Sequence, residues 1–117
     1  MTLSLATQIS GDIVVFVCHG RIVFGDEGAV FRERVRNALT GTPKIVIDLS
    51  SVDYVDSGGL GILVGLHISA KKRGGDIKLL SPNQRVQNVL SHTKLNTVFS
   101  TYRTLEEAVA AFSGRVA

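Results

Sequence analysis

The chain has 117 residues, 44% of them hydrophobic and 20% charged, the scale of one compact domain over residues 1–117 with a single core. Its 12 glycines follow no short period and Ile, Val, Leu and Phe are plentiful, which excludes collagen-like and disordered classes. Thirteen Lys and Arg against ten Asp and Glu leave a formal charge of +3 scattered along the chain, with 6% aromatic residues and no Trp. A polybasic, base-stacking nucleic-acid surface is therefore not expected.

Leu3, Leu5 and Thr7 alternate with Ser4, Ala6 and Gln8, and Gly11-Asp12 then turns into the β-branched run Ile13–Cys18. This predicts a hairpin whose second strand is buried on both faces. From Glu27 to Leu39 the period changes. Phe31, Val35, Ala38 and Leu39 share one helical face, Arg32, Glu33, Arg36 and Asn37 lie elsewhere, and Thr40-Gly41-Thr42-Pro43 stops the helix. Arg32, Arg34 and Arg36 read as a solvated face.

Lys44–Leu49 predicts a buried parallel strand ended by Ser50-Ser51 and followed by a loop. Asp56-Ser57 precede an apolar helix from Leu60 to Ala70, closed by Lys71-Lys72-Arg73 and Gly74-Gly75. Ile77–Leu80 is the next strand, Ser81-Pro82 opens a helix buried through Val86, Val89 and Leu90, Thr97–Ser100 is a last strand, and Thr104–Glu107 begins a terminal helix with a capping box. The order β-β-α-β-α-β-α-β-α implies an α/β domain, a mixed sheet with an antiparallel N-terminal hairpin and right-handed crossovers.

Met1–Ser10 lacks the charged and apolar regions of a signal peptide, and the longest apolar stretches, Ile13–Cys18 and Leu60–Leu66, are far too short for a bilayer span. The lone Cys18 has no partner for an internal disulfide. A cytoplasmic, soluble protein is expected.

The chemistry concentrates between Ile47 and Gly61. Asp56 or Ser57 should cap the helix, which presents the serine hydroxyl at the positive helix end on the carboxyl edge of the sheet. Glycine at 58, 59 and 61 costs about 1 kcal/mol each relative to alanine in a helix interior. Two readings stand: a plain cap with a tight loop-to-helix turn, or bare backbone that lets a partner or a phosphate approach Ser57. Asp48, Asp53 and Asp56 read as cap and turn residues rather than as a magnesium set. His19, His67 and His92 lack zinc spacing, no phosphate loop with its lysine occurs, and Ser57 has no base partner in the sequence. Leu60, Leu63, Val64 and His67 on one side of the second helix, with Ile62, Leu66 and Ala70 around it, indicate either two-sided burial or a partner patch beside Ser57.

Ile47-Asp48-Leu49, the run Val52-Asp53-Tyr54-Val55-Asp56-Ser57-Gly58-Gly59-Leu60-Gly61, and Gly74-Gly75-Asp76-Ile77-Lys78-Leu79 together resemble the STAS domain of bacterial anti-sigma factor antagonists. Thr93–Phe99 fits the same pattern, so the resemblance covers nearly the whole chain. It implies a non-enzymatic phosphorylation switch without cofactor or metal. Ser57 would be phosphorylated by a serine-kinase anti-sigma factor and restored by a phosphoserine phosphatase, and binding of the kinase would release a sigma factor. The implied partner surface is Asp26, Asp53, Asp56, Ser57, Gly58, Gly59 and Leu60, on a monomer or weak dimer that touches neither nucleic acid nor membrane.

Two features depart from the pattern. Gly58 replaces a frequent second hydroxyl, which leaves Ser57 as the sole acceptor at the turn. The acidic pair common after the second strand is missing from Gly20–Asp26, where Asp26 is the only acid in a position to replace it. Two other readings are a phosphorylation switch with an output other than a sigma factor, and a small anion- or nucleotide-binding domain using the glycine-rich helix start.

Overall fold

A computed structural model describes residues 3–113. Strands β1 (Leu3–Ser10) and β2 (Ile13–Ile22) lead into helix α1 (Asp26–Leu39), followed by β3 (Lys44–Val55), α2 (Ser57–Lys72), β4 (Asp76–Leu80), α3 (Gln84–His92), β5 (Thr101–Tyr102) and α4 (Leu105–Phe112). This is the order the sequence predicts. The five strands line up as β1-β2-β3-β4-β5, with β1 antiparallel to β2 and every other pair parallel. Gly11, at φ 62°, supplies the positive φ needed at the first position of the two-residue hairpin turn.

Alternation along the strands divides the core between two faces. Phe16, Cys18, Ile45, Ile47, Leu49, Ile77 and Leu79 face α1, α2 and α3, whose Phe31, Val35, Leu63, Leu66, Val86 and Leu90 are buried against them. Each such side chain contributes about 1.5–3 kcal/mol relative to exposure. Ile13, Val15, Val46 and Leu80 point the other way and are covered by Ala108 of α4 with Leu105, Val109 and Phe112 around it. Because both faces of β2, β3 and β4 are covered, these strands are nearly continuous apolar runs.

Besides β2, which runs on to Ile22 instead of ending at Cys18, and α2, which starts at Ser57 instead of Leu60, three boundaries differ from the sequence expectation. β3 does not stop at Ser50-Ser51 but continues to Val55, with register shifts against β2 at Val17/His19 and Gly20/Arg21. The bulges turn Val52 and Val55 back to the core, and the Asp48 carboxylate accepts the Ser50 N–H at 2.9 Å where pairing is broken. α3 starts at Gln84 rather than at Pro82. Ser81 has φ 53°, and the cap is Asn83, whose side chain accepts the Val86 N–H at 2.9 Å. The stretch Thr97–Ser100 is not a strand. A single 3₁₀ turn at Leu95–Thr97 swings Phe99 into the core, and β5 begins only at Thr101.

Candidate functional site

The parallel strands deliver the ends of β2 and β3 to the same edge of the sheet, Ile22 beside Val55. The next residue, Asp56, caps α2, and one of its carboxylate oxygens accepts the Gly59 N–H at 2.7 Å. Both oxygens also lie 3.2 Å from the Phe24 N–H in the β2–α1 loop. One carboxylate thus ties the helix start to a loop more than thirty residues earlier in the chain, and the Asp56 N–H adds a bond of 3.3 Å to the Ile22 carbonyl. Ser57 is the first helical residue and is exposed, where the uncompensated N–H groups of the first turn favour negative charge.

The glycines here serve the protein's own packing, which corrects the expectation that Gly58 and Gly59 are bare so that a partner can approach. A methyl group on Gly59 would overlap the Ile22 carbonyl, and one on Gly58 would sit 2.6 Å from Cβ of Phe24. Gly61 and Gly65 differ, since a side-chain carbon there would meet nothing within 4 Å. With Phe24, Ala29, Arg32 and Ile62 they line an open groove of about 550 Å³ between α1 and the start of α2. α2 is buried along one face, through Leu60, Leu63, Leu66 and Ala70, while its opposite face is exposed at Gly61, Gly65 and Ile68, so the two-sided burial offered as one of its readings is not found.

Of the residues expected at the partner surface, Asp26, Asp53 and Ser57 are exposed and Asp56 and Gly58 are half-buried. Gly59 and Leu60 are buried, so they support the site from beneath. Asp26 opens α1 on the rim of the groove. Sequence reasoning missed three contributors. Phe24 is 85% exposed, a large apolar side chain left on the rim by the loop that Asp56 holds. Asn83 donates to the Val52 carbonyl at 3.0 Å, and the Arg85 guanidinium lies 5.2 Å from the centre of the Tyr54 ring, so α3 braces the end of β3. The apolar pair Val23-Phe24 just ahead of Gly25 was the one available signal.

Asp48 and Asp56 have hydrogen-bonding duties in turns and caps, and among the described residues no group of three or more His, Cys, Asp or Glu is placed to hold a metal ion. Cys18 is fully buried. Burial, with a smaller contribution from the Asp48 carboxylate, pushes its thiol up to about 12, so it is not a ready nucleophile. No helix among the described residues is long and apolar enough to cross a membrane.

A family model for the STAS domain matches residues 4–108. A Thermotoga neapolitana protein assigned by name to the anti-sigma factor antagonists is 41% identical over 75 residues, which cover 64% of this chain and 66% of that protein's own length. The anti-sigma-B factor antagonist of Bacillus subtilis is 33% identical over 94 residues, covering 80% of this chain and 77% of the relative. The crystal structure of a Thermotoga maritima protein likewise named as an anti-sigma factor antagonist superposes with a TM-score of 0.82 at 30% identity, covering 93% of this chain and 94% of that one. The sheet order, the capped serine at the carboxyl edge and these matches agree: the chain belongs to the STAS domain, anti-sigma factor antagonist family.

Proposed function

We propose that this chain is a cytoplasmic, non-enzymatic switch that binds a serine-kinase anti-sigma factor through the surface around Ser57 and so releases a sigma factor. The observation that carries the reading is the exposed hydroxyl of Ser57 at the first position of α2, the only hydroxyl in that turn, on backbone held rigid by Asp56 and Gly59. Ser50 and Ser51 lie inside β3, which makes them poor substrates for an active site that must grip an accessible segment. Asp26, Asp53 and Phe24 rim the same edge and give the partner a mixed acidic and apolar surface, with Phe24 the natural anchor.

Transfer of a phosphoryl group to Ser57 adds about −1.5 to −2 charge next to Asp56. The first turn of α2 tolerates that charge in the free protein, whereas a closely packed partner surface has to desolvate it beside a carboxylate. A loss of about 3–4 kcal/mol weakens the complex a few hundred-fold, enough to exchange partners without refolding. A phosphoserine phosphatase resets the switch.

Two substitutions of similar size test the reading. Ser57→Ala should bind the kinase as wild type does and take up no phosphate, whereas Ser57→Asp should bind weakly. Titration calorimetry against the serine-kinase anti-sigma factor of the same genome measures both, and mass spectrometry of the peptide containing residue 57 locates the phosphate. Equal affinities for the two variants, or phosphate on Ser50 or Ser51, would reduce Ser57 to a helix start.

A further inference from the structure

Among the described residues the edge of β1 is free, and it lacks the features that keep sheet edges from pairing. It runs eight residues, Leu3–Ser10, without a charged residue or a proline, and it pairs with β2 in unbroken register, without a bulge. At the opposite edge, β5 is two residues long. The Leu3 N–H lies 3.4 Å from the Glu27 carboxylate, which ties β1 to the start of α1 and makes strand and helix flank one surface.

Beside this edge a groove of about 410 Å³ opens between β1 and α1, lined among others by Leu3, Leu5, Asp26, Val30 and Arg34. Residues 26, 30 and 34 are four apart and therefore fall in one line along the helix. The line reads acid, apolar, base. Val30, at its middle, is 56% exposed, and Asp26 and Arg34 at its ends are exposed as well. Such a stripe is complementary to itself turned end for end: Val30 meets Val30, and each Asp26 meets an Arg34. A two-fold axis that does this to α1 also sets two copies of β1 antiparallel, the arrangement in which edge strands pair.

We infer that the chain forms a two-fold dimer through β1, with the strands paired antiparallel about Leu5 so that two five-stranded sheets become one continuous sheet. The two α1 flanks close over Leu5 and Val30, and the Asp26–Arg34 pairs sit at either end. A second copy fits better than a foreign extended segment because a foreign strand would satisfy the β1 backbone but leave the stripe on α1 unmatched. The contact is at the small end of specific interfaces, so the dissociation constant should be about 100 μM. The dimer surface does not include Ser57 and does not depend on the switch reading, although Asp26 lies on the rim of both surfaces.

Sedimentation equilibrium of the whole chain from about 10 μM to about 1 mM tests this. Wild type should climb from 12.5 kDa toward twice that mass. Val30→Glu, which sets two carboxylates face to face at the axis, should remain at monomer mass throughout, and so should Arg34→Asp. The double swap Asp26→Arg with Arg34→Asp should restore the dimer. Amide hydrogen exchange at high concentration should show protection of β1 that Val30→Glu removes. All three positions are exposed, so the variants should fold, and circular dichroism checks that they do. The inference is overturned if wild type stays monomeric, if it associates equally well with Val30→Glu, or if the double swap fails to restore association.

Discussion

At both ends of α2 a glycine lies where a neighbouring segment passes too close for a side chain, Gly59 over Ile22 and Gly75 over Pro43. At the far end the nearby charged groups are occupied. The Asp76 N–H bonds the Pro43 carbonyl at 3.0 Å, and the Asp76 carboxylate lies 3.0 Å from Lys78, 3.6 Å from Lys71 and 3.5 Å from Nδ1 of His67. Lys78 in turn lies over the Phe112 ring at 4.8 Å. At the near end the same backbone device leaves Ser57, Asp26 and Phe24 facing solvent. Close approach by glycine is a packing solution common to both ends, and what separates a candidate site from a structural joint is the chemistry left unburied around it.

The largest effects should come from filling the two glycine contacts. Gly59→Ala and Gly75→Ala each force backbone apart and should cost about 3 kcal/mol, read as a lower urea midpoint at unchanged slope. If Gly59→Ala were tolerated, the near end would be looser than the far one and the likeness of the two ends would fail.

Asp56→Ala removes the cap of α2 and an acceptor for the Phe24 N–H. It should cost about 1–2 kcal/mol. Its distinguishing sign is faster amide exchange at Phe24 as well as at Gly59, because one carboxylate serves both segments.

Gly61→Ala and Gly65→Ala point into open space, so each should stabilise the helix by about 0.5–1 kcal/mol. The thermal midpoint reads this directly. A loss of stability would mean that the groove floor is packed like Gly59.

The smallest effect belongs to the far end, where Lys44, next to Pro43, pairs with Asp12 at 2.8 Å. The hydrogen bond from Lys44 holds the Asp12 carboxyl below its ordinary value. A lowered folded pKa gives stability that is present above the unfolded value and lost as pH falls through the folded one. Asp12→Asn should therefore be slightly less stable than wild type at neutral pH and equal to it in strong acid. The pair is exposed and screened, so the gap in urea midpoints will be small.

Ser57 could be placed from sequence because its location depends on local signals, a cap residue ahead of an apolar helix at the end of a buried strand. The purpose of Gly58 and Gly59 was not legible, since the groups they avoid belong to Ile22 and Phe24 and only the parallel pairing of β2 with β3 brings those near. Thr97–Ser100 misled for a related reason. Its residues suit a strand, but Phe99 fills the core through a turn, and the short β5 takes its position from Leu79 and Leu80. Asn83 outcompeted Ser81 as a cap because its amide satisfies the Val52 carbonyl while its oxygen caps α3.

The strand order has a consequence for how the molecule is made. Every pairing in the sheet joins strands that are consecutive in the chain, β1 with β2 through β4 with β5. A ribosome releasing the chain from its N-terminus therefore delivers each strand to a neighbour that has already emerged, and no early strand waits for a distant one. The hairpin comes first, each crossover then adds a helix to the same face, and α4 arrives last to cover Ile13, Val15, Val46 and Leu80 on the other. Until α4 is released, one apolar face of the growing sheet stays open, which makes the interval before α4 emerges the one in which a nascent chain is most exposed to aggregation.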